Sequence, residues 1–302
     1  MFVVHEFKAM GSPCAFKLYH PDQTVLDRAV KMAQQEVLRL EKKYSRFLAT
    51  SDLSVINKQA GGDPVLVDDE TAGLLNYAAM CFELSDGLFD ITSGVLRRIW
   101  DFSSSNLPSQ QQLDDILPRV GFDKIHWDGQ KVTLPNNMEI DLGGVVKEYA
   151  ADCARQVLLN NDITHGLVDL GGDICVVGCQ PGDQPWLMGV RDPECPNQAA
   201  VTIPLMSGAI ATSGYYERFM VVDGQRYCHI INPKTGWPVQ FCATVAVVSS
   251  RCLVSGSLAT IGMLKQQDAV SWLTSQEATF FLQDAQGQCF GTLAGPNKAA
   301  KP

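Results

Sequence analysis

The stretch Asp141-Leu142-Gly143-Gly144-Val145-Val146-Lys147-Glu148-Tyr149-Ala150-Ala151-Asp152 decides how the middle of the chain folds. Residues 138–142 predict the end of a strand, and apolar residues then recur every four positions, as on one face of a helix. That face comprises Val145, Tyr149, Cys153 and Val157. The two glycines are therefore predicted to lie where a strand gives way to a helix.

Two interpretations of this junction are open. Glycine lets the backbone approach a ligand closely, and the N–H groups at a helix start attract an anionic oxygen, to which Lys147 would add a positive charge. Alternatively, Gly143 and Gly144 serve only tight packing, and Lys147 is a solvated surface lysine. The junction alone favours the second interpretation, and only other motifs of the chain can distinguish the two.

Composition limits the classes of protein that the chain can belong to. Its 302 residues are 46% hydrophobic and 19% charged, which is typical of a globular protein of one or two domains. A net charge of -9 argues against nucleic-acid or membrane binding through a basic surface. The ten cysteines form no Cys-x-x-Cys pair, which favours free thiols over a disulfide framework. With no apparent export signal and no apolar run that could span a membrane, we expect a cytoplasmic protein, or a periplasmic one if a signal was removed.

Strand and helix patterns are mixed along the whole chain. Asp128-Gly129 and Asp223-Gly224 are strong hairpin signals, and amphipathic helices are predicted from residue 25, at 70–84 and at 253–264. No linker separates two independent parts. We therefore predict an α+β fold, a single domain of mixed, largely antiparallel sheets with packed helices over residues 1–295, and a disordered tail at 296–302.

His229 is the histidine in the most informative setting, because a predicted strand delivers it to the turn Asn232-Pro233-Lys234-Thr235-Gly236. Histidine titrates near neutrality and is the commonest general base, but a histidine on a strand also serves structural roles, and the residues leave both readings open. Ser213 lacks the Gly-x-Ser-x-Gly context of an acyl-enzyme nucleophile. No Gly-x-Gly-x-x-Gly or Walker A motif is present, which excludes the common nucleotide-binding folds.

Taken together, these motifs resemble the ApbE family, the FAD:protein FMN transferases. The resemblance lies in motifs that follow one another in order over almost the whole chain, at residues 10–12, 44, 51–57, 86–92, 141–147, 211–214, 229–238 and 258–260. It implies an enzyme that binds FAD and, with Mg²⁺, transfers its FMN half to a threonine or serine of a target flavoprotein, releasing AMP. Some members instead cleave FAD to FMN and AMP.

The resemblance also implies roles for individual residues. The implied FAD contacts are Met10, Tyr44, Leu88, Phe89, Asp90, Asp141, Lys147 and Ile230. Tyr44 would offer a stacking face, Lys147 would lie near the pyrophosphate, and His229 would deprotonate the acceptor hydroxyl. The acceptor motif of the family ends in threonine, whereas Ser207-Gly208-Ala209 here precedes Ile210, so self-modification is not expected.

The implied metal site departs from the family pattern. The resemblance places Mg²⁺ on the carbonyl of Gly144 and on an aspartate and a threonine four residues apart on a late helix. Thr260 is present, but the aspartate position is Gly256. Because Mg²⁺ usually keeps a carboxylate, this loss predicts a weakened site, unless Glu148 offers a substitute.

Two functions therefore compete, the first of which has a lesser variant. The first is an FMN transferase with weak or altered metal dependence, with FAD pyrophosphatase activity as its lesser variant, and the second is an FAD-binding protein with impaired catalysis. The transferase is favoured because Asp141, Lys147, His229 and Thr260 are all present.

Overall fold

The computed structural model describes residues 1–104, 106–195 and 197–294, so the tail predicted at 296–302 lies outside the described residues. The strands are β1 Phe2–Ala9, β2 Ser12–Tyr19, β3 Val65–Leu66, β4 His126–Trp127, β5 Lys131–Thr133, β6 His165–Leu170, β7 Asp173–Gly178, β8 Trp186–Arg191, β9 Ala199–Leu205, β10 Gly208–Gly214, β11 Phe219–Val222, β12 Gln225–Cys228, β13 Cys242–Ser249, β14 Thr279–Asp284 and β15 Cys289–Phe290. The helices are α1 Gln23–Tyr44, α2 Asp52–Lys58, α3 Asp69–Leu84, α4 Gln110–Ile116, α5 Val146–Leu159, α6 Cys252–Lys265 and α7 Ala269–Ser275.

An eight-stranded sheet forms the centre of the molecule, in the order β1-β2-β6-β7-β10-β13-β14-β15. Every neighbouring pair in it is antiparallel. The predicted α+β fold with largely antiparallel sheets is thus confirmed. Among the described residues, none of the helices combines the length and hydropathy that a membrane crossing requires, and the described cysteines form no disulfide.

Alternation along the central strands separates two hydrophobic layers, since successive side chains of a strand point to opposite faces. On β6, Val168 belongs to the core shared with helices α1, α3 and α5, while its neighbour Leu167 packs with Trp186 of the β8–β9 ribbon. Helices α5 and α6 contact β7 and β10 from the helical side. The helices therefore cover one face of the sheet and the β8–β9 ribbon covers part of the other.

The segment before the Gly143-Gly144 turn is not the strand that was predicted. Its backbone is held at Ile140 by the side chain of Asn57, which accepts from the Ile140 N–H at 2.8 Å and donates to its carbonyl at 2.9 Å. Asp141 N–H in turn donates to the carbonyl of Ile91 at 2.7 Å. An amide side chain and one loop carbonyl thus satisfy backbone groups that a strand ladder would have paired, and the segment belongs to no strand.

Helix α5 is confirmed, but its most buried face differs from the predicted one. Tyr149 and Cys153 are only half-buried, whereas Ala150, Ala151 and Ala154 are fully buried. The helix lies between α1 on one side and the sheet with α6 on the other, so both sides are covered. Small residues on the second side let α5 approach the sheet closely.

Candidate active site

Lys147 forms an ion pair with a buried acid at the start of α5. Its Nζ lies 2.5 Å from Oδ2 of Asp173, a residue that is only 2% exposed, and the Thr212 N–H donates to Asp173 Oδ1 at 3.3 Å. Burial disfavours the charged lysine, but the negative charges of Asp173, Glu148 and Glu217 outweigh it and raise the pKa of Lys147. Lys147 is therefore charged at neutral pH, and its interpretation as a solvated surface lysine is wrong.

Glu148 points into the interior beside this ion pair. The residue is 7% exposed, its Oε2 has no hydrogen-bond partner, and its side chain lies against Gly256 of α6. Burial first, and the carboxylate of Asp173 second, raise the pKa of Glu148. The glutamate that the sequence suggested as a substitute acid therefore does lie beside the glycine that lacks one.

His229 follows β12 and is oriented by one backbone carbonyl. Its Nδ1 lies 3.2 Å from the carbonyl oxygen of Arg218, which also accepts the His229 backbone N–H at 3.0 Å. Because a carbonyl only accepts, the neutral ring carries its proton on Nδ1 and keeps a lone pair on Nε2. Crowding by protein atoms, and then the charges of Arg218 and Lys147, lower the pKa of His229, although part of its surface stays accessible. The imidazole is thus a neutral base at neutral pH.

The hairpin turn between β1 and β2 lies beside Arg218, the residue whose carbonyl orients His229. Met10 and Gly11 both have positive φ, at 52° and 71°, and the Met10 N–H donates to Oε1 of Glu41 at 2.5 Å. A Cβ at Gly11 would lie 3.9 Å from the guanidinium of Arg218. The N-terminal hairpin therefore approaches Arg218, the residue whose carbonyl orients His229, and an FAD contact at Met10 stays a prediction.

Asp141 is held by two arginines. Nη1 of Arg46 lies 2.7 Å and Nη1 of Arg97 lies 2.5 Å from its Oδ2, while Oδ1 accepts the Gly143 N–H at 3.0 Å. That amide is therefore occupied within the protein, contrary to the prediction of open N–H groups at the turn. Two guanidinium groups therefore lie next to the turn, where Asp141 and, for Arg97, Glu139 pair with them.

A cavity of about 330 Å³ opens beside these arginines, and Phe47 is the exposed aromatic residue in its lining. The residue is 83% exposed, and its ring centroid lies 4.7 Å from the guanidinium carbon of Arg46. Tyr44, the predicted stacking residue, is instead only 6% exposed, and its hydroxyl lies 3.1 Å from Oγ1 of Thr71. The structure does not support a stacking face at Tyr44, because that ring belongs to the buried side of α1. Phe47, which the sequence motifs did not single out, is the exposed aromatic ring near this position.

The remaining predicted FAD contacts lie in two segments. Leu88, Phe89 and Asp90 belong to the loop after α3, and Ile230 belongs to the segment after β12. Asp90 is buried, and its carboxylate accepts from the N–H and hydroxyl of Thr92 at 2.8 and 2.6 Å. Burial raises the pKa of Asp90 against these hydrogen bonds. Its carboxylate therefore stabilises the loop, which leaves the neighbouring backbone as the part of this motif that can contact a ligand.

The two predicted metal ligands lie on the elements that flank Glu148. Gly144 is exposed in the turn before α5, and a Cβ built on it would lie 3.6 Å from the Phe89 ring. Thr260 of α6 places Oγ1 3.2 Å from Oγ of Ser213. Within the described residues, no group of three or more histidines, cysteines, aspartates or glutamates could hold a metal, so any site here must include hydroxyl or carbonyl oxygens.

These features define a class of protein: an α+β protein whose site combines a charged lysine, a neutral histidine and a pair of arginines, which suits the binding of a phosphate-containing ligand and the activation of a hydroxyl. The ApbE family model matches residues 10–281, and the chain belongs to this family.

Individual relatives agree with this assignment. An FAD:protein FMN transferase of Treponema pallidum is 32% identical over 275 residues, which are 83% of this chain and 75% of the relative. The crystal structure of the ApbE protein from Thermotoga maritima has a TM-score of 0.87 at 30% identity and covers 96% of this chain and 97% of its own. The flavin transferase ApbE of Vibrio cholerae has a TM-score of 0.85 at 22% identity, over 97% and 98% of the two chains, and supports the fold alone.

Proposed function

We propose that this chain is an FAD:protein FMN transferase, which moves FMN from FAD to a serine or threonine hydroxyl of a target flavoprotein and releases AMP. The observation that carries the proposal is His229, a neutral base with its Nδ1 proton engaged by a carbonyl, within electrostatic range of the charged Lys147. Family membership and FMN transferase relatives over most of the chain support the same activity.

In this proposal His229 acts on the acceptor hydroxyl. Nε2 takes the hydroxyl proton, the hydroxyl oxygen attacks the FMN-side phosphorus of FAD, and the bond from that phosphorus to the bridging oxygen breaks. AMP leaves with the bridging oxygen, and the proton stays on the imidazole until water removes it. The Arg218 carbonyl stabilises the imidazolium, because it continues to accept from Nδ1.

Lys147, Arg46 and Arg97 contribute charge and position. A phosphoryl transfer of this type depends mainly on alignment of the reacting oxygens and on neutralisation of developing charge. Lys147 supplies a charge next to His229, while the two arginines and the exposed ring of Phe47 suit the binding of a phosphate group and an aromatic base.

The residues present fit the Mg²⁺ ion that the family resemblance implies. One buried oxygen, Glu148 Oε2, has no hydrogen-bond partner, Asp173 Oδ2 beside it is paired with Lys147, and hard oxygen ligands are those that Mg²⁺ prefers. The Gly144 carbonyl and the Thr260 hydroxyl would hold the ion with an acid from this pair. Bound there, it would act as a Lewis acid that neutralises phosphate charge.

The test uses the purified chain with FAD, Mg²⁺ and a peptide that contains Ser-Gly-Ala-Thr. We expect the peptide to gain one FMN less one water, with one AMP released for each modified peptide. His229→Ala should abolish both products while FAD binding persists, and a Ser-Gly-Ala-Ala peptide should stay unmodified.

Two outcomes would contradict the proposal. AMP and free FMN without peptide modification would identify an FAD pyrophosphatase. Binding of FAD with neither product, in the presence of several divalent cations and acceptor sequences, would identify a flavin-binding protein with impaired catalysis.

A further inference from the structure

The strongest unexplained feature of the interior is a pair of buried acids that share one basic side chain. Glu148 and Asp173 are 7% and 2% exposed, and their carboxylates interact with each other. Lys147 is paired with Asp173, and Asp169 and Glu217 add further negative charge around this lysine. Burying an ionised carboxylate is costly unless a positive charge lies beside it, and Lys147 pairs with Asp173 and not with Glu148.

The unpaired atoms point to a ligand of positive charge. Glu148 Oε2 is buried and makes no hydrogen bond, whereas Asp173 Oδ2 lies 2.5 Å from the Lys147 ammonium. Buried polar atoms are nearly always satisfied, and exceptions call for a specific cause. A cation bound beside Glu148 would satisfy its Oε2 atom and stabilise the ionised carboxylate.

Gly256 provides the space in which the Glu148 side chain lies. A Cβ added at Gly256 would lie 2.5 Å from Cγ, 3.0 Å from Cδ and 3.2 Å from Oε1 of Glu148. Glycine inside a helix is unfavourable by about 1 kcal/mol relative to alanine, so its presence in α6 calls for a compensating role. The glycine and the glutamate are therefore sterically complementary, and any side chain at 256 would displace Glu148.

Neutral oxygens of the right type flank the acids. Thr260 lies one helical turn after Gly256 on the same face of α6, and its Oγ1 is within 3.2 Å of Ser213 Oγ on β10. The residue before that serine, Thr212, donates its N–H to Asp173. Helix α6 and strand β10 thus bring hydroxyls to the edge of the carboxylate pair.

We infer that Glu148 is the carboxylate ligand of the divalent cation in this protein, delivered from α5 into the space that Gly256 leaves on α6. The acid and the hydroxyl of Thr260 then come from two different helices, which the cation would hold together. This inference rests on the proposed function for the use of the cation, but its test does not depend on transfer activity.

The experiment measures Mn²⁺ binding to chelator-treated protein by the loss of the free Mn²⁺ signal in electron paramagnetic resonance. We expect Glu148→Gln to weaken binding by about tenfold or more, since it removes the charge and preserves the shape. Glu83→Gln, which changes an exposed glutamate of α3, is the matched control and should bind Mn²⁺ as the wild type does.

A swap of the two positions gives the sharper result. Gly256→Asp alone should lower the melting temperature, because its Cβ collides with Glu148. The double variant Glu148→Gly with Gly256→Asp returns one carboxylate to the same space from the other helix. Its Mn²⁺ affinity should exceed that of Glu148→Gly alone by about tenfold. Melting temperatures with chelator and with Mn²⁺ report whether each variant is folded and whether the ion stabilises it.

The inference is overturned if Glu148→Gln binds Mn²⁺ as tightly as the wild type, or if the folded wild type binds no Mn²⁺. Failure of the inference and failure of the proposed function can be told apart. FMN transfer at the full rate in chelator would retain the function and refute the metal ligand, whereas Mn²⁺ binding through Glu148 without transfer would do the reverse.

Discussion

At the scale of single residues, the site depends on side chains whose state is set by a neighbour. The Arg218 carbonyl selects the His229 tautomer, and two positive charges, from Arg218 and Lys147, make the imidazolium less favourable. A base must be unprotonated to accept a proton, so a lowered pKa keeps His229 active over a wider range of acidic pH.

The lowered pKa of His229 determines the expected pH dependence of FMN transfer. We predict that kcat/KM rises with pH through an apparent pKa below 6.5, the ordinary value for histidine, and is flat through neutrality. Activity is measured between about pH 5 and about pH 9, and His229→Ala should lose about 10²–10⁴-fold. His126→Ala, at an exposed histidine of β4, is the matched control. A rise centred above 6.5, or one that persists in His229→Ala, would assign the base elsewhere.

Single residues also show what the sequence could and could not predict. Lys147 and His229 could be proposed from the sequence because each lies in a short motif that fixes its local setting. Tyr44 was assigned as a stacking residue, yet it falls four positions after the buried Leu40 and continues the apolar stripe of α1. That spacing was available in the sequence. The outward direction of Phe47 was not, because it depends on α1 ending at Tyr44 and on the extended backbone that follows.

At the scale of elements, helix α6 begins with the help of a residue far away in the chain. Its own N-cap residue, Arg251, makes no side-chain cap, but Asp152 of α5 accepts the N–H groups of Cys252 at 2.9 Å and Leu253 at 3.0 Å. A carboxylate at a helix N-terminus satisfies free N–H groups and interacts favourably with the helix dipole. The two helices that carry Glu148 and Thr260 are thereby fixed to each other.

We predict that Asp152→Ala lowers the free energy of unfolding by about 1–2 kcal/mol, because it leaves two N–H groups at the start of α6 without their acceptor. Urea unfolding measures this loss, and hydrogen exchange should show faster exchange at the first turn of α6. Asp115→Ala, at an exposed aspartate of α4, is the control. Unfolding and exchange equal to the wild type would mean that water replaces the cap without loss.

Secondary-structure elements could be predicted where a short sequence signal determines them. The Asp223-Gly224 hairpin could be predicted because Asp-Gly is a residue pair that tolerates the positive φ this turn requires. In the structure the two φ angles are 50° and 78°. Residues 138–142 were predicted wrongly, because an apolar run does not reveal that the Asn57 side chain, 83 positions earlier, will bond the backbone of Ile140. The cap from Asp152 to α6, across 100 positions, is beyond local reasoning for the same cause.

At the scale of the whole molecule, the candidate site gathers residues from most of the chain. Met10 comes from the first hairpin, Lys147 from the middle, His229 from the hairpin segment after β10 and Thr260 from the last long helix. The order of the central sheet places β2 beside β6 and β7 beside β10, although the two strands of each pair are far apart in sequence. Binding of a ligand at this site should therefore stabilise the folded chain as one unit.

We predict that FAD raises the midpoint of a single cooperative thermal transition. A ligand at about 100 times its Kd stabilises the native state by about 2.7 kcal/mol, which for a chain of this size corresponds to a shift of about 4–6 °C. The measurement is differential scanning calorimetry with and without FAD. Phe47→Ala should reduce the shift without changing the midpoint of the free protein, because the Phe47 side chain is 83% exposed and contributes little to the core. Two separate transitions, of which FAD moves only one, would mean that the ligand contacts only part of the chain and that the sheet does not couple the site to the rest.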